Sequence, residues 1–312
     1  MSYPAASGAV SHAGTLINEI WAPKFLIKFY EATVLMQIAN TEFEGTVAKQ
    51  GDTVHINICP DLTINDHVKG QKLVYEHPTS SVIDLLIDKG KSYSFVCSDI
   101  DKKQSPLSFI EKWTDDASKR MKIEIETAVY ADIYSDADSN NAGATAGLLS
   151  GTLNLGVSGT PLEVTSANIL NFLINMGLCL DEQDVPKDNR WCILPANMIA
   201  LISDSDLKDA SLSADGKKSS LITGRTGMVA GFEVYNSNLL TLTTDATTGD
   251  SCANVLAGHT SALTFASQLV ENEVIRAESE FADYARGLQV YGYKVIKPTA
   301  LVHGYAYATL AA

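Results

Sequence analysis

The sequence predicts an α+β fold, and three features predict it. Apolar residues recur at helical spacing from Leu107 to Ile133, strand-like alternation covers residues 51–87 and returns beyond Gly287, and helix and strand patterns mix in between. At 312 residues the chain exceeds a typical single domain, so two packed subdomains or one elaborated α+β body are expected.

The polar leader ends at Thr15, which can cap a helical stretch carrying Leu16, Ile20, Phe25, Phe29 and Leu35. Pro23 should break or restart that helix. The result is an amphipathic arm ending near Asn40, too isolated to have a core of its own and suited to lie on another surface.

From Gly51 the pattern becomes alternation. Val54, Ile56 and Ile58 fall on one face, with Thr53, His55 and Asn57 on the other, and Leu62 and Ile64 follow after Pro60. A second extended run, Ser81 to Ile87, should return antiparallel, making residues 66–79 the polar tip of a long projecting hairpin. Such a hairpin buries little within one subunit, so its natural place is on a neighbour.

Ser105 and Pro106 give a cap-plus-proline start to the longest helix, with Leu107, Ile110, Trp113, Ala117, Met121, Ile125, Ala128 and Ile133 on one side and charges on the other. Residues 136–159, rich in Gly, Asn, Ser and Ala, read as a flexible linker between subdomains. Beyond it, Thr165 or Ser166 should cap a helix through Leu180, Trp191 to Leu194 should be a buried strand, and a second helix should span Pro195 to Ile202. Residues 203–226 and 241–250 read as polar loops, and Phe232 to Tyr235 as a short strand. Ala262 to Ala266 and Leu269 to Val274 add extended pieces. Strands follow around Leu288 to Val295 and Leu301 to Tyr307, hinged at Pro298, and the last should pack on the long helix.

A net charge of -14 excludes a sequence-independent grip on phosphate backbones by the chain as a whole. Self-repulsion of that size also makes lateral association sensitive to salt, which screens charges beyond about 10 Å. Apolar runs all stop short of membrane-spanning length, and no basic cluster precedes an apolar run as in a secretory signal, so the protein is expected to stay in the cytosol where it is made. The five cysteines, Cys59, Cys97, Cys179, Cys192 and Cys252, are scattered with no Cys-x-x-Cys spacing, and read as reduced small hydrophobes.

Chemistry-bearing patterns are weak. Asp136, Asp138 and Asn140 alternate like the start of a calcium loop, but Asn141 stands where the turn glycine belongs and Gly147 where the bidentate glutamate belongs. Gly224, Gly227 and Gly231 lack a following Gly-Lys-Ser/Thr and read as a flexible loop. His12, His55, His67, His77, His259 and His303 never fall at metal-ligand spacing. Carboxylate pairs such as Asp115 with Asp116, or Asp99 with Asp101, read as solvated charges, and no Gly-x-Ser-x-Gly elbow occurs. No catalytic, cofactor-binding or metal residue is assigned.

The order of arm, projecting hairpin, long helix, α/β body and closing strands resembles the HK97-type capsid fold, with its N-arm, E-loop, spine helix of the P-domain, and A-domain. Local texture is similar to the coat proteins of P22-like phages: Ile20, Trp21, Phe29 and Tyr30, then Ala39, Asn40 and Gly51 to Val54; Asp88, Lys89 and Ser98 to Asp101 with Gln104 and Ser105; Gly231 to Tyr235 with Ser237 and Asn238; and Phe265, Ala266, Gln268, Tyr291, Gly292, Lys294, Val295, Pro298, Ala300 and Leu301. Two departures matter: the chain has no room for the large extra domain of the P22 type member, and no lysine and asparagine pair is assigned to chain crosslinking.

The resemblance implies a division into an N-terminal arm (1–45), E-loop hairpin and flanking strands (46–96), P-domain spine helix (97–140), linker and A-domain (141–274), and closing P-domain strands (275–312). It implies a coat protein that assembles with itself as hexamers and pentamers, in the host bacterial cytoplasm, into the shell of a virion. That shell would enclose double-stranded DNA without sequence-specific binding and meet a scaffolding protein, a portal protein and a cement or decoration protein, with no membrane and no cofactor. Inter-subunit contact is expected at Trp21, Phe29, Lys69, Lys72 and Glu76, the last three by ion pairing from a hairpin tip without intramolecular partners. The competing readings are another virion protein, such as a tail-tube or decoration subunit, and an acidic hydrolase; the long helix argues against the former because those folds are mostly β.

Overall fold

In a computed structural model, which describes residues 30–31, 33–42, 53–60, 62–104, 109–205 and 227–310, the arm ends in a strap of residues 30–42 carrying one helical turn, α1 (Leu35–Ile38). The arm helix expected from Thr15 lies outside the described residues. The alternation around Val54 forms β1 (Thr53–Ile58), and β2 (Ser81–Leu86) returns antiparallel, pairing Thr53 with Leu86 and Ile58 with Ser81. Leu62 and Ile64 do not extend the strand, which stops before Pro60.

Two residues after β2 the chain enters β3 (Lys89–Ser98), a strand not anticipated from the sequence, and α2 (Asp99–Gln104) follows. The long helix is α3 (Phe109–Ile133). Its apolar stripe is buried in the second half, at Ile125, Val129, Tyr130 and Ile133, while Trp113 in the first half is exposed.

The stretch expected as a flexible linker is instead tied down. Ala146 and Leu155 are fully buried, Ala146 and Leu153 exchange main-chain hydrogen bonds, and Leu155 donates to the Gly143 carbonyl. Asn141, also buried, donates from Nδ2 to the carbonyls of Thr299 and Leu301 at 2.7 and 3.0 Å. Gly156 has φ +81°, and a methyl group there would lie 1.9 Å from the Tyr305 carbonyl, so only glycine lets this segment touch the C-terminal strand. Small residues here serve close approach and left-handed turns rather than flexibility.

The α/β body follows: β4 (Leu162–Val164), α4 (Ile169–Glu182), β5 (Arg190–Leu194), α5 (Ala196–Asp204), β6 (Met228–Val229), β7 (Phe232–Asn236), β8 (Leu242–Thr244) and β9 (Ser251–His259). Helix α4 begins later than expected: the Thr165 side chain does not cap it, and its carbonyl instead accepts from the amide of Ile169. The glycine-rich loop is in part a tight hairpin turn between β6 and β7, with Ala230 and Gly231 both at positive φ. Residues 241–250 include β8 and so are not all loop. β9, buried along seven of its nine residues, was not foreseen at all.

β10 (Leu263–Arg276), one continuous strand where two pieces were expected, pairs with β11 (Ala282–Val295), which pairs with β3. After a 3-10 turn at Pro298–Ala300 comes β12 (Leu301–Ala308). Three sheets result: the β1–β2 ribbon; a three-stranded sheet ordered β10-β11-β3; and a seven-stranded sheet ordered β4-β12-β9-β5-β7-β6, with β8 also on β9. It is β3 and β11 that lie against α3; β12 sits instead between β4 and β9, so the expected packing of the last strand on the long helix is corrected. One continuous core joins strap, long helix, α/β body and the start of the three-stranded sheet, as in a single elaborated body. The boundaries expected at 96–97, 140–141 and 274–275 fall inside β3, a 3-10 turn and β10.

Candidate assembly surfaces

The residues linking β1 to β2 form a long irregular loop that touches solvent on every side. Its legs are clasped: Glu76 accepts from the Thr63 amide at 3.1 Å and the Thr63 hydroxyl at 3.3 Å. Gln71 and Val68 close the tip, the Gln71 amide donating to the Val68 carbonyl and the Val68 amide to Gln71 Oε1. Glu76 thus has an intramolecular partner, contrary to the expected bare tip. Lys69 and Lys72 are exposed, and among the described residues neither forms an ion pair.

The tip is also not simply polar. Ile64 is 92% exposed, Val74 86% and Tyr75 82%, with Leu62, Val68 and Leu73 close behind. Single exposed apolar residues are ordinary, but six on one loop form a strip that costs free energy until another surface covers it, by roughly 25 cal/mol per Å² of apolar area. Lys69, Lys72 and Glu76, where inter-subunit contact is expected, stand among these exposed apolar side chains.

The ribbon beneath the loop rests on a small separate core of Ile56, Leu85, Ile87 and Ala266, with Val54, Val290 and Ile296 beside it. Across the ribbon His55 and Asp84 pair at 2.6 Å.

Along α3, three contacts set β3 antiparallel to the helix. Phe95 meets the Trp113 ring edge-on at 5.6 Å, Lys91 reaches Glu124 at 4.0 Å, and Lys89 reaches Asp132 at 3.1 Å. Tyr293 completes the last of these, donating to Asp132 at 2.7 Å while accepting from Lys89 at 2.5 Å. Burial works against the Lys89 ammonium, but hydrogen bonds to Tyr293 and Asp132 outweigh it and raise its pKa; hydrogen bonds from Tyr293 and Lys89 lower that of Asp132. The first half of the helix also carries i,i+4 pairs, Asp115 with Lys119 and Asp116 with Arg120. These settle Asp115 and Asp116 as paired surface charges.

At the far end of the three-stranded sheet, Arg276 bridges Asp99 and Asp283, and the amide of Asp99 donates to the Phe281 carbonyl at 2.9 Å. Phe281 and Ile100 stand exposed there, around a shallow hollow of about 370 Å³ that Lys103 also lines.

Trp21 and Phe29 lie outside the described residues. Just after them, the Tyr30 hydroxyl donates to Asp116, with the Lys119 ammonium 5.3 Å from its ring. Asp138 spends its carboxylate on the Asn140 amide at 2.9 Å, a turn cap. Cys179 is pushed up to about 11, chiefly by burial. Among the described residues, no group of three or more His, Cys, Asp or Glu side chains is placed to hold a metal ion, and no helix is long and apolar enough to cross a membrane.

No protein-family model and no curated protein matches the sequence. Solved structures do. A chain of "Mycobacterium phage Che8" is similar with a TM-score of 0.74 and 26% identity, over 93% of this chain and 97% of that one. A chain from the "Capsid structure of the Cyanophage P-SCSP1u" follows at 0.70 and 17% identity, over 97% and 98%. The "Asymmetric unit of bacteriophage PhiM1 mature capsid" gives 0.63 and 15% identity, over 95% and 92%. The chain therefore has the α+β fold of phage capsid proteins along nearly its whole length.

Proposed function

We propose that this chain is the major capsid protein of a tailed phage: a structural, non-enzymatic subunit that assembles with itself as hexamers and pentamers into an icosahedral shell around double-stranded DNA. The observation that carries the reading is the projecting loop between β1 and β2, whose strip of apolar side chains has no cover among the described residues. In a shell of identical chains that cover is a neighbouring copy. Several interfaces on the order of 1,600 Å² each hold such a shell even when every one of them is weak alone. The full-length likeness to capsid chains supports the same reading.

Finer parts of the proposal rest on the sequence. The texture around Gly51 to Val54, Gly231 to Tyr235 and Tyr291 to Leu301 supports placement near the P22-like coat proteins. The five-part division from arm to closing strands is retained as a functional division, with strands crossing its boundaries. Trp21, Phe29, Lys69, Lys72 and Glu76 are proposed as inter-subunit contacts, Glu76 while also clasping its own loop. The net charge of -14 suits a shell that holds DNA without gripping it. Assembly in the host cytoplasm, with scaffolding, portal and decoration proteins as partners, completes the proposal.

Negative-stain electron microscopy with sedimentation on the purified protein tests it. Closed shells or flat hexameric sheets are the expected result, alone or on co-expression with a scaffolding protein. A chain that stays monomeric under both conditions would overturn the reading.

A further inference from the structure

Glu126 lies on the buried face of α3, beside Ile125 and Tyr130, and is 1% exposed. An ionisable group in an apolar core is costly unless its oxygens are satisfied. Here they are satisfied by the strap. The Val34 amide donates to both carboxylate oxygens, at 3.1 and 3.0 Å, the Leu35 amide donates to Oε2 at 3.2 Å, and the Tyr130 hydroxyl donates to Oε1 at 2.9 Å. The strap has no side-chain cap of its own at this turn, so the carboxylate, more than ninety residues away in sequence, supplies what the local sequence lacks. Beyond the turn, Asn40 exchanges main-chain hydrogen bonds with Leu263 and Phe265 at the start of β10.

We propose that the strap of residues 30–42 is a releasable clasp closed on α3 by Glu126, a positioning residue that sets how firmly the chain ahead of the hairpin is held to the body. Closing buries Val34, Leu35, Ile38 and Ala39 in the main core and takes Glu126 out of water; opening reverses both. The gain from apolar burial and the cost of desolvating Glu126 oppose each other, so the closed state is held by a margin that a single group can change.

That margin varies with pH. Burial, the largest influence, raises the pKa of Glu126, opposed by the hydrogen bonds from Val34, Leu35 and Tyr130. Tyr130 is the titratable side chain facing it from its own helix, and the strap faces it with main-chain amides; among the described residues no other ionisable side chain acts on it. A carboxyl whose closed-state pKa lies above its open-state value takes up a proton on closing. Acid therefore favours the closed clasp, and the advantage is lost as pH rises through the closed-state value. The neutral form still fits: Oε2 remains for both amides while Oε1–H turns to the Tyr130 oxygen.

Hydrogen exchange on the full chain, at about pH 5 and about pH 8, tests this by comparing residues 30–42 with β9, whose amides report on the whole core. In the wild type the strap should be better protected at the lower pH, relative to β9. Glu126→Leu removes the acceptor and leaves the Val34 and Leu35 amides buried without a partner; strap protection should fall about tenfold, as for the loss of a charge-assisted hydrogen bond, with β9 unchanged and the pH dependence gone. Tyr130→Phe keeps the carboxylate, so a smaller loss with the pH dependence retained is expected. Unchanged strap protection in Glu126→Leu, a parallel loss in β9, or a wild-type strap indifferent to pH would each overturn the clasp. The last comparison needs no variant to fold.

Discussion

Gly292 of β11 lies against the main chain of Leu86, so that a methyl group on Gly292 would fall 2.1 Å from the Leu86 carbonyl oxygen and 3.0 Å from the Cα of Ile87. The hairpin therefore leaves the body by crossing a strand at backbone distance, and four buried residues, Ile56, Leu85, Ile87 and Ala266, hold it there. Gly292→Ala must push the ribbon off the sheet. The expected cost is ~1–3 kcal/mol, as for overpacking elsewhere, read as a lower melting temperature with hydrogen exchange rising first in β1 and β2.

Replacing Leu73, Val74 and Tyr75 together by serine should leave the melting temperature of the isolated subunit nearly unchanged, because these side chains are exposed. Assembly should instead be lost, seen by sedimentation as subunits under conditions where the wild type forms shells. Normal shells from this variant would remove the loop from the assembly surface.

Charge reversal at Lys69 and Lys72 bears on the ion-pairing part of the proposal. Neither lysine is ion-paired among the described residues, so pairing with a neighbouring copy would make shell yield and salt resistance fall in Lys69→Glu/Lys72→Glu. Unchanged yield and salt resistance would assign the loop's hold to its apolar strip alone.

His303 on β12 is largely buried, with Nε2 at 3.0 Å from Asn254 Oδ1, and burial lowers its pKa to about 4. The folded chain thus keeps His303 neutral where the unfolded chain protonates it. Its contribution to stability is full above the unfolded value of about 6.5 and is lost as pH falls toward 4. In that window denaturant titrations should show stability falling by up to about 1.4 kcal/mol per pH unit from this group, and His303→Gln should remove that part of the slope.

Asn141→Ala strips the carbonyls of Thr299 and Leu301 of a shared donor in a buried place. A loss of ~2–3 kcal/mol is expected from the unmet carbonyls, measured as a shift in urea midpoint without a change in m-value.

Elements with a clean period were legible in the sequence. Val54 and Ile56 alternate with polar neighbours, and Ile125 to Ile133 recur at helical steps, so β1 and the second half of α3 follow directly. β9 was not legible because Cys252, Ala253, Val255, Leu256 and Ala257 are buried on both faces, which erases alternation and leaves small residues that suit many contexts. β3 hid for a different reason: its outer face carries Gly90, Ser92 and Ser94 and its inner face opens on Lys89 and Lys91, so the first half of the strand alternates polar with polar. Residues 136–159 misled because glycine and asparagine signal turns without saying whether the turns are buried.

The candidate surfaces divide similarly. A projecting hairpin was readable from two alternating runs and the gap between them. Its Leu, Ile, Val and Tyr residues were in plain view, yet nothing local says that they point to solvent on all sides. Glu126 gave no signal: a glutamate in a helix among Lys122, Glu124 and Thr127 reads as surface until the strap that covers it is placed by contacts from another part of the chain.

The position of β12 between β4 and β9 has a consequence for how the chain is made. During translation β4 has no partner in the seven-stranded sheet until β12, the last strand, leaves the ribosome, so that sheet closes late and over a long span of sequence. The apolar loop at residues 59–80 emerges far earlier and waits through most of synthesis beside an unfinished body. Polysomes carrying many such nascent chains side by side hold these loops close together before any subunit is complete.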